Sequence, residues 1–281
     1  MSLNRDLIGK EYKAEEFEVT TDGIIKYTLG YNEDNPIFSY PQRTGGIIAP
    51  PLFAVTWNHL ALGNVFFDPE LNVNLLLLLH GEQDMYFHKP VRPGDKITTV
   101  PKIESIEDKG SGELLVIKLT SKNQNGELVT ETYGGMFIRE GGSGKKSEEK
   151  KDIFKKGKVI FKSYMDVKKY QPYIYAVGSG DHNPIHVDPN VAKMAGFNSV
   201  ILQGLCTMAF AQKAIIDEYL DENPERLKRL RVRFSKPVLP NERVLTKAWE
   251  IEKSDNKTTL GFEVYNQDCE KVISNGVAEV I

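Results

Sequence analysis

The chain has 281 residues, 40% of them hydrophobic and 27% charged, which suffices for one large domain with a well-buried core or, the better fit here, two modest ones. A formal net charge of −3, with positive and negative residues interspersed, points to neither a nucleic-acid partner nor a membrane surface. The longest apolar run, Leu75 to Leu79, is far too short to span a bilayer, the N-terminus lacks the apolar core of a secretory signal, and Cys206 and Cys269 form neither a disulfide framework nor a metal-ligand spacing.

In chain order, a helix is predicted from about Leu52 to Leu62, then strands around Asp84 to His88, Lys96 to Ile106, Leu114 to Ser121 and Glu127 to Arg139. Residues Glu140 to Lys151 are glycine-rich and then charged, with no apolar period, which reads as a linker. Lys155, Lys156 and Lys158 have no aromatic stacking series beside them and read as its solvated end. In the second half, Leu205, Met208, Ala209, Ile215, Ile216, Tyr219 and Leu220 form the apolar stripe of a long helix, with Gln212 its one polar member, and Asp221-Glu222-Asn223-Pro224 ends it. Strands follow at Leu230 to Phe234, Arg243 to Ile251, Thr258 to Tyr265 and Lys271 to Val280.

The two halves repeat one another. Tyr27-Thr28-Leu29-Gly30 with Asn35-Pro36-Ile37-Phe38 matches Tyr175-Ala176-Val177-Gly178 with Asn183-Pro184-Ile185-His186, at an offset of 148 residues. Gly46 to Leu52 runs parallel to Ser199 to Leu205 at an offset of 153, and Phe87 to Asp95 mirrors Phe234 to Glu242 at 147. Each half therefore reads as a long helix followed by antiparallel strands, and a curved sheet wrapping the helix buries the apolar faces of both.

The chemistry concentrates between Ser179 and Pro189. Asp181 precedes His186 by five residues, a spacing that turns the two side chains about 140° apart on a straight helix and onto opposite faces of a strand. Pro184 breaks any continuous helix and drives Asn183 toward an extended conformation, while Ser179-Gly180 permits a sharp turn, so a curled segment can aim Asp181 and His186 into one cleft. A carboxylate and an imidazole sharing one water form an acid/base pair. The spacing of His182, His186 and Asp188 would suit a metal only on an unbroken helix, so none is expected.

The string Gly180-Asp181-His182-Asn183-Pro184-Ile185-His186-Val187-Asp188-Pro189, with Ala195-Gly196-Phe197 and Ile201-Leu202-Gln203-Gly204-Leu205-Cys206-Thr207, resembles the MaoC-like dehydratase family and its hydratase 2 branch. His80-Gly81-Glu82-Gln83 and Asp108-Lys109-Gly110-Ser111-Gly112 extend the likeness into the first half. The resemblance implies an α+β double hotdog: a degenerate repeat over residues 1–140 that accommodates the acyl chain, a linker at 141–157, and a catalytic repeat at 158–281. Glu33 and Phe38 stand in the first half where Asp181 and His186 stand in the second, so only the second half can carry the reaction.

The implied activity is that of a hydro-lyase, the (R)-specific hydration of trans-2-enoyl-CoA or the reverse dehydration. Asp181 and His186 would hold the water, Asn183 would orient it, and the Gly204 N–H at the start of the long helix would serve as the oxyanion donor. His80, Gly81, Lys109 and Phe234 would contact the acyl-CoA, with Glu82 in a supporting role. Gln203 departs from the family, which has a histidine before the oxyanion glycine. An acyl-ACP substrate and a hotdog thioesterase are the alternatives. No cofactor is expected, and a homodimer follows from the family. The absence of a Ser-Lys-Leu address after Val280-Ile281 suggests a cytoplasmic enzyme.

Overall fold

The computed structural model describes residues 2–145 and 156–281; the larger part of the linker expected from the sequence lies outside them. Ten strands are formed among the described residues: β1 (Glu15–Glu18), β2 (Leu78–Phe87), β3 (Lys96–Asp108), β4 (Glu113–Lys122), β5 (Leu128–Ile138), β6 (Val159–Asp166), β7 (Leu227–Phe234), β8 (Arg243–Lys253), β9 (Thr258–Tyr265) and β10 (Lys271–Val280). They make one antiparallel sheet in the order β1-β3-β4-β5-β2-β7-β10-β9-β8-β6. The five strands on either side of the β2–β7 seam repeat the same order outward, as the internal repeat requires. Across the seam Asp84 faces Arg231 and Met85 faces Leu230. Alternation puts Met85 and Leu230 in the core and charged residues on the outer face, where Arg229 binds Asp84 through two bonds of 2.9 and 2.7 Å.

The helices are α1 (Thr21–Gly30), α2 (Pro36–Ser39), α3 (Val55–Phe66), α4 (Gln171–Ser179), α5 (Pro184–Val187), α6 (Pro189–Met194) and α7 (Gly204–Tyr219). The sheet wraps α3 in one half and α7 in the other, which is the double hotdog. Helices α1 and α4 pack across the pseudo-twofold relation, with the buried Tyr27 and Tyr175 rings 5.8 Å apart.

Several elements differ from the sequence reading. The leading strands β1 and β6 and the paired helices α1 and α4 were not expected; β1 is a short, glutamate-rich edge, and such an edge carries little apolar periodicity. Strand β2 begins at Leu78, six residues earlier than predicted, so His80, Gly81 and Glu82 lie within the sheet. Every residue of α7 from Leu205 to Ile216 is buried, Gln212 and Lys213 included, so it is a central helix enclosed on all sides and not a one-faced amphipathic one. The sheet covers one side, and residues 33–34 of the first half approach the other through ion pairs to Lys213.

The apolar interior is unequal between the halves. One cluster spans both and includes Phe53, Trp57, Phe210 and Phe262. A second belongs to the first half alone and includes Leu62, Leu71, Ile117, Leu119 and Met136.

Candidate active site

Helix α4 ends at Ser179, and Gly180 follows in the left-handed region at φ 79°, a conformation that costs glycine little. The chain then reverses through Asp181 and His182. Asn183 caps α5 by accepting from the Ile185 N–H at 3.3 Å, with Pro184 in the first helical position, where its missing donor costs nothing. His186 sits in that single turn. Asp188 caps α6 next, accepting from the Asn190 N–H at 2.8 Å.

These caps place Asp181 and His186 on one cavity, with His186 Nε2 4.0 Å from Asp181 Oδ2. The Asn183 N–H donates to Asp181 Oδ1 at 3.2 Å, so Oδ2 is the oxygen turned to the imidazole. His186 Nδ1 lies 2.8 Å from the Ile201 carbonyl, which can only accept; the proton is therefore on Nδ1, and Nε2 presents a lone pair. Burial holds the His186 pKa below its usual value, opposed by the Asp181 charge and the bond to Ile201.

Gly204 opens α7, whose first N–H groups have no partner within the helix, and Gln203 gives no side-chain cap. Gly204 and Leu205 both line the cavity, so the positive end of a sixteen-residue helix faces it. Gln203, fully buried, instead donates through Nε2 to the Pro172 carbonyl at 2.9 Å and the Asp181 carbonyl at 3.3 Å. It thereby ties the Asp181 loop to the start of α4.

The cavity holds about 460 Å³, within the range of small-molecule sites. Both halves build its apolar wall, the first with Val55, Leu62, Phe66, Leu78, Leu79, Leu119 and Met136 and the second with Ile185, Phe197, Ile201, Leu202, Leu205, Phe234, Val238 and Val272. His80 lines it as well, with Nε2 2.9 Å from Gln83 Oε1 and its ring edge-on to Phe234 at 5.0 Å between centroids. Burial pushes the His80 pKa down to about 4, so the ring is neutral at physiological pH. No group of His, Cys, Asp and Glu among the described residues is arranged to hold a metal ion.

Of the nine site residues named from the sequence, Asp181, Asn183, His186, Gly204, His80 and Phe234 share this cavity. Gly81 and Glu82 follow His80 along β2 but do not line it, and Glu82 stands opposite Arg233 and Gly135 in the sheet. Lys109 lies in the β3–β4 turn, paired with Glu107 and away from the cavity. Asn183 uses one lone pair of its side-chain oxygen as a helix cap, which leaves its amide nitrogen and the second lone pair for contact with water.

His59 and Arg139 also line the cavity and were not singled out from the sequence. The signal for His59 was present: an offset of 153 aligns it with Gln212, the polar exception in the α7 stripe.

The first half's counterpart of this site is reduced to a small pocket of about 40 Å³ lined by Ile48, Ala49, Pro51, Phe87, Lys89 and Pro90. Phe38 replaces the imidazole and is fully buried, and Pro51, at the Gly204 position, has no N–H to offer. Glu33 pairs with Lys213 at 3.1 Å.

A MaoC-like domain model matches residues 154–271, and a FAS1-like dehydratase domain region matches residues 6–132. A Dictyostelium discoideum protein named "Probable enoyl-CoA hydratase 2" is 31% identical over 289 aligned positions, covering 98% of this chain and 95% of its own length. The crystal structure of a MaoC-like dehydratase from Phytophthora capsici superposes with a TM-score of 0.84 at 26% identity, over 99% of this chain and 98% of that one. A Mycobacterium tuberculosis protein described as a double hotdog, 12% identical, superposes with a TM-score of 0.61 over 98% of this chain and 96% of its own, which bears on the fold alone. Similarity that runs through both halves makes the chain a double-hotdog member of the MaoC-like dehydratase family and, by that membership, a hydro-lyase related to enoyl-CoA hydratase 2.

Proposed function

We propose that the protein adds water across the C2=C3 bond of trans-2-enoyl-CoA to give (R)-3-hydroxyacyl-CoA, and catalyses the reverse dehydration. The observation that carries this reading is the 4.0 Å gap between His186 Nε2 and Asp181 Oδ2 beside the uncapped start of α7. Such a gap is too long for a direct hydrogen bond and suits one water donating to both atoms in legs of about 2.8 Å. With its protons so engaged, the water's lone pairs are free to meet C3.

As the C3–O bond forms, one water O–H breaks and its proton passes to the dyad. The C2=C3 π pair moves toward the thioester, whose oxygen takes up charge beside the Gly204 N–H and the helix terminus; donors of this kind are worth roughly 3–4 kcal/mol. Return of a proton from the dyad to C2 on the same face completes a syn addition. The (R) configuration is the one the family resemblance implies, and the CoA carrier follows the naming of the relatives. The apolar residues that the first half adds to the cavity wall support its part in housing the acyl chain.

The test is loss of the enoyl-thioester absorbance with crotonyl-CoA and longer 2-enoyl-CoAs, with chiral analysis of the product. Asp181→Asn and His186→Ala should each lower kcat by about 100-fold or more with melting temperatures near wild type. Because burial favours neutral His186, kcat/KM should fall on the acid side with an apparent pKa below the ordinary 6.5. Near-wild-type turnover in either variant, or release of free thiol in place of a hydroxyacyl product, would overturn the reading.

A further inference from the structure

One histidine on the cavity has no part in the chemistry just described and comes from the other half of the molecule. His59, on α3, has Nδ1 3.2 Å from the Ser179 carbonyl. The carbonyl only accepts, so Nδ1–H donates. Ser179 is the last residue of α4, and its carbonyl is one of those a helix end leaves unpaired. The left-handed Gly180 follows directly, so this bond sets the direction in which the chain departs toward Asp181. The hydroxyl of the same Ser179 accepts from the Asp181 N–H at 3.2 Å. Ser179 is thus gripped by the first half through its carbonyl and grips Asp181 through its side chain.

We propose that His59 is a positioning residue: its Nδ1–H clamps the Ser179 carbonyl across the two halves and thereby holds the Asp181 carboxylate at water-sharing distance from His186. The inference rests on the Asp181/His186 pair being the reactive one. The internal repeat supplies an independent observation. Gln212 stands at the matching turn of α7 and also reaches across, accepting through Oε1 from the Leu52 N–H at 2.8 Å. In each copy the long helix offers a polar side chain at this turn to a backbone group of the opposite half. The half-site served by Gln212 has lost its dyad; the loop served by His59 has kept it. Asp181, His186 and His80 are the titratable groups that share the cavity with His59, together with Lys236 and Arg139. A charge on His59 would disfavour charge on both other imidazoles.

The experiment compares the full chain with His59→Leu and His59→Gln, the latter keeping an N–H within reach of the carbonyl. His59→Leu should lower kcat for crotonyl-CoA about 10- to 100-fold, since displacement of a reacting group by an ångström costs that much. KM should stay within about threefold, as expected when an interaction acts in the transition state and not on substrate binding. The acid limb of the kcat/KM profile should move, and His59→Gln should recover most of the rate. Backbone amide exchange across residues 180–186, measured without substrate, should quicken in His59→Leu and return toward wild type in His59→Gln. If His59→Leu does not fold, His59→Phe, which retains a ring without the donor, takes its place. Wild-type kcat and unchanged exchange in the variant, or a loss confined to KM that glutamine does not repair, would make His59 merely part of the acyl wall. Should the wild type fail to hydrate enoyl-CoA at all, the dyad reading falls, while the exchange comparison still decides whether His59 holds the loop.

Discussion

A β-carbon at Gly204 would lie 3.0 Å from Phe234 Cδ1, and Phe234 in turn packs edge-on against His80. The glycine therefore does more than expose an N–H: it lets an aromatic ring close down beside the helix terminus and exclude water from the place where charge would develop. Gly204→Ala keeps the N–H but pushes the ring away. Steady-state assay should show kcat lowered about 10-fold or more, and the double variant Gly204→Ala/Phe234→Ala should recover the melting temperature lost by the single one. Gly204 entered through the family resemblance, whereas Asp181 and His186 were visible in the sequence itself, because the residue types and the breaking proline are local properties. Their 4.0 Å approach was not, because it depends on the Ile201 carbonyl and the Gln203 amide arriving from beyond the turn. Lys109, taken from the resemblance, has no local feature that would tell a ligand from a solvated loop lysine, and the structure pairs it with Glu107.

The two long helices show how a repeat diverges at the level of an element. In α7, Lys213 is almost fully buried and binds Glu33 at 3.1 Å, Asp34 at 2.5 Å and Asp217 at 2.9 Å. Burial works against its charge, but the bonds to Asp34 and Asp217 outweigh that and hold its pKa above the usual value. The acid at the Asp181-equivalent position has thus become half of an interior ion pair joining the two halves. Lys213→Met leaves the Glu33 carboxylate interred without its cation, and urea unfolding should show a loss of about 3 kcal/mol or more. Lys213→Met/Glu33→Gln should regain much of it. Periodicity located the existence and extent of α7 well but mistook its setting, since a stripe of apolar residues does not reveal that buried polar positions have partners 180 residues away. Edge strand β1 failed for the opposite reason: at four residues, three of them glutamate, it is held by its ladder to β3 and not by its own pattern.

At the scale of the whole molecule, one continuous sheet joins the halves, while the first half carries a second, separate apolar cluster and adds Leu62, Phe66, Leu119 and Met136 to the apolar cavity wall. A bulkier residue there should shorten the chain the cavity accepts. Leu62→Trp, assayed with a series of 2-enoyl-CoAs, should lower kcat/KM for long chains by about tenfold or more while leaving crotonyl-CoA within about threefold; equal losses at every length would place the acyl chain elsewhere. The double hotdog itself was legible, because the repeat offsets, the helix-then-strands order and the extended Gly180-to-Pro189 string are written along the chain and survive divergence. By itself the sequence determined the two-fold layout and which half keeps an acid and an imidazole at the repeated positions. Only the tertiary structure decided that both halves wall one cavity and that the first reaches the Asp181 loop through His59, since such contacts join residues 120 positions apart through packing and leave no periodic mark in either segment.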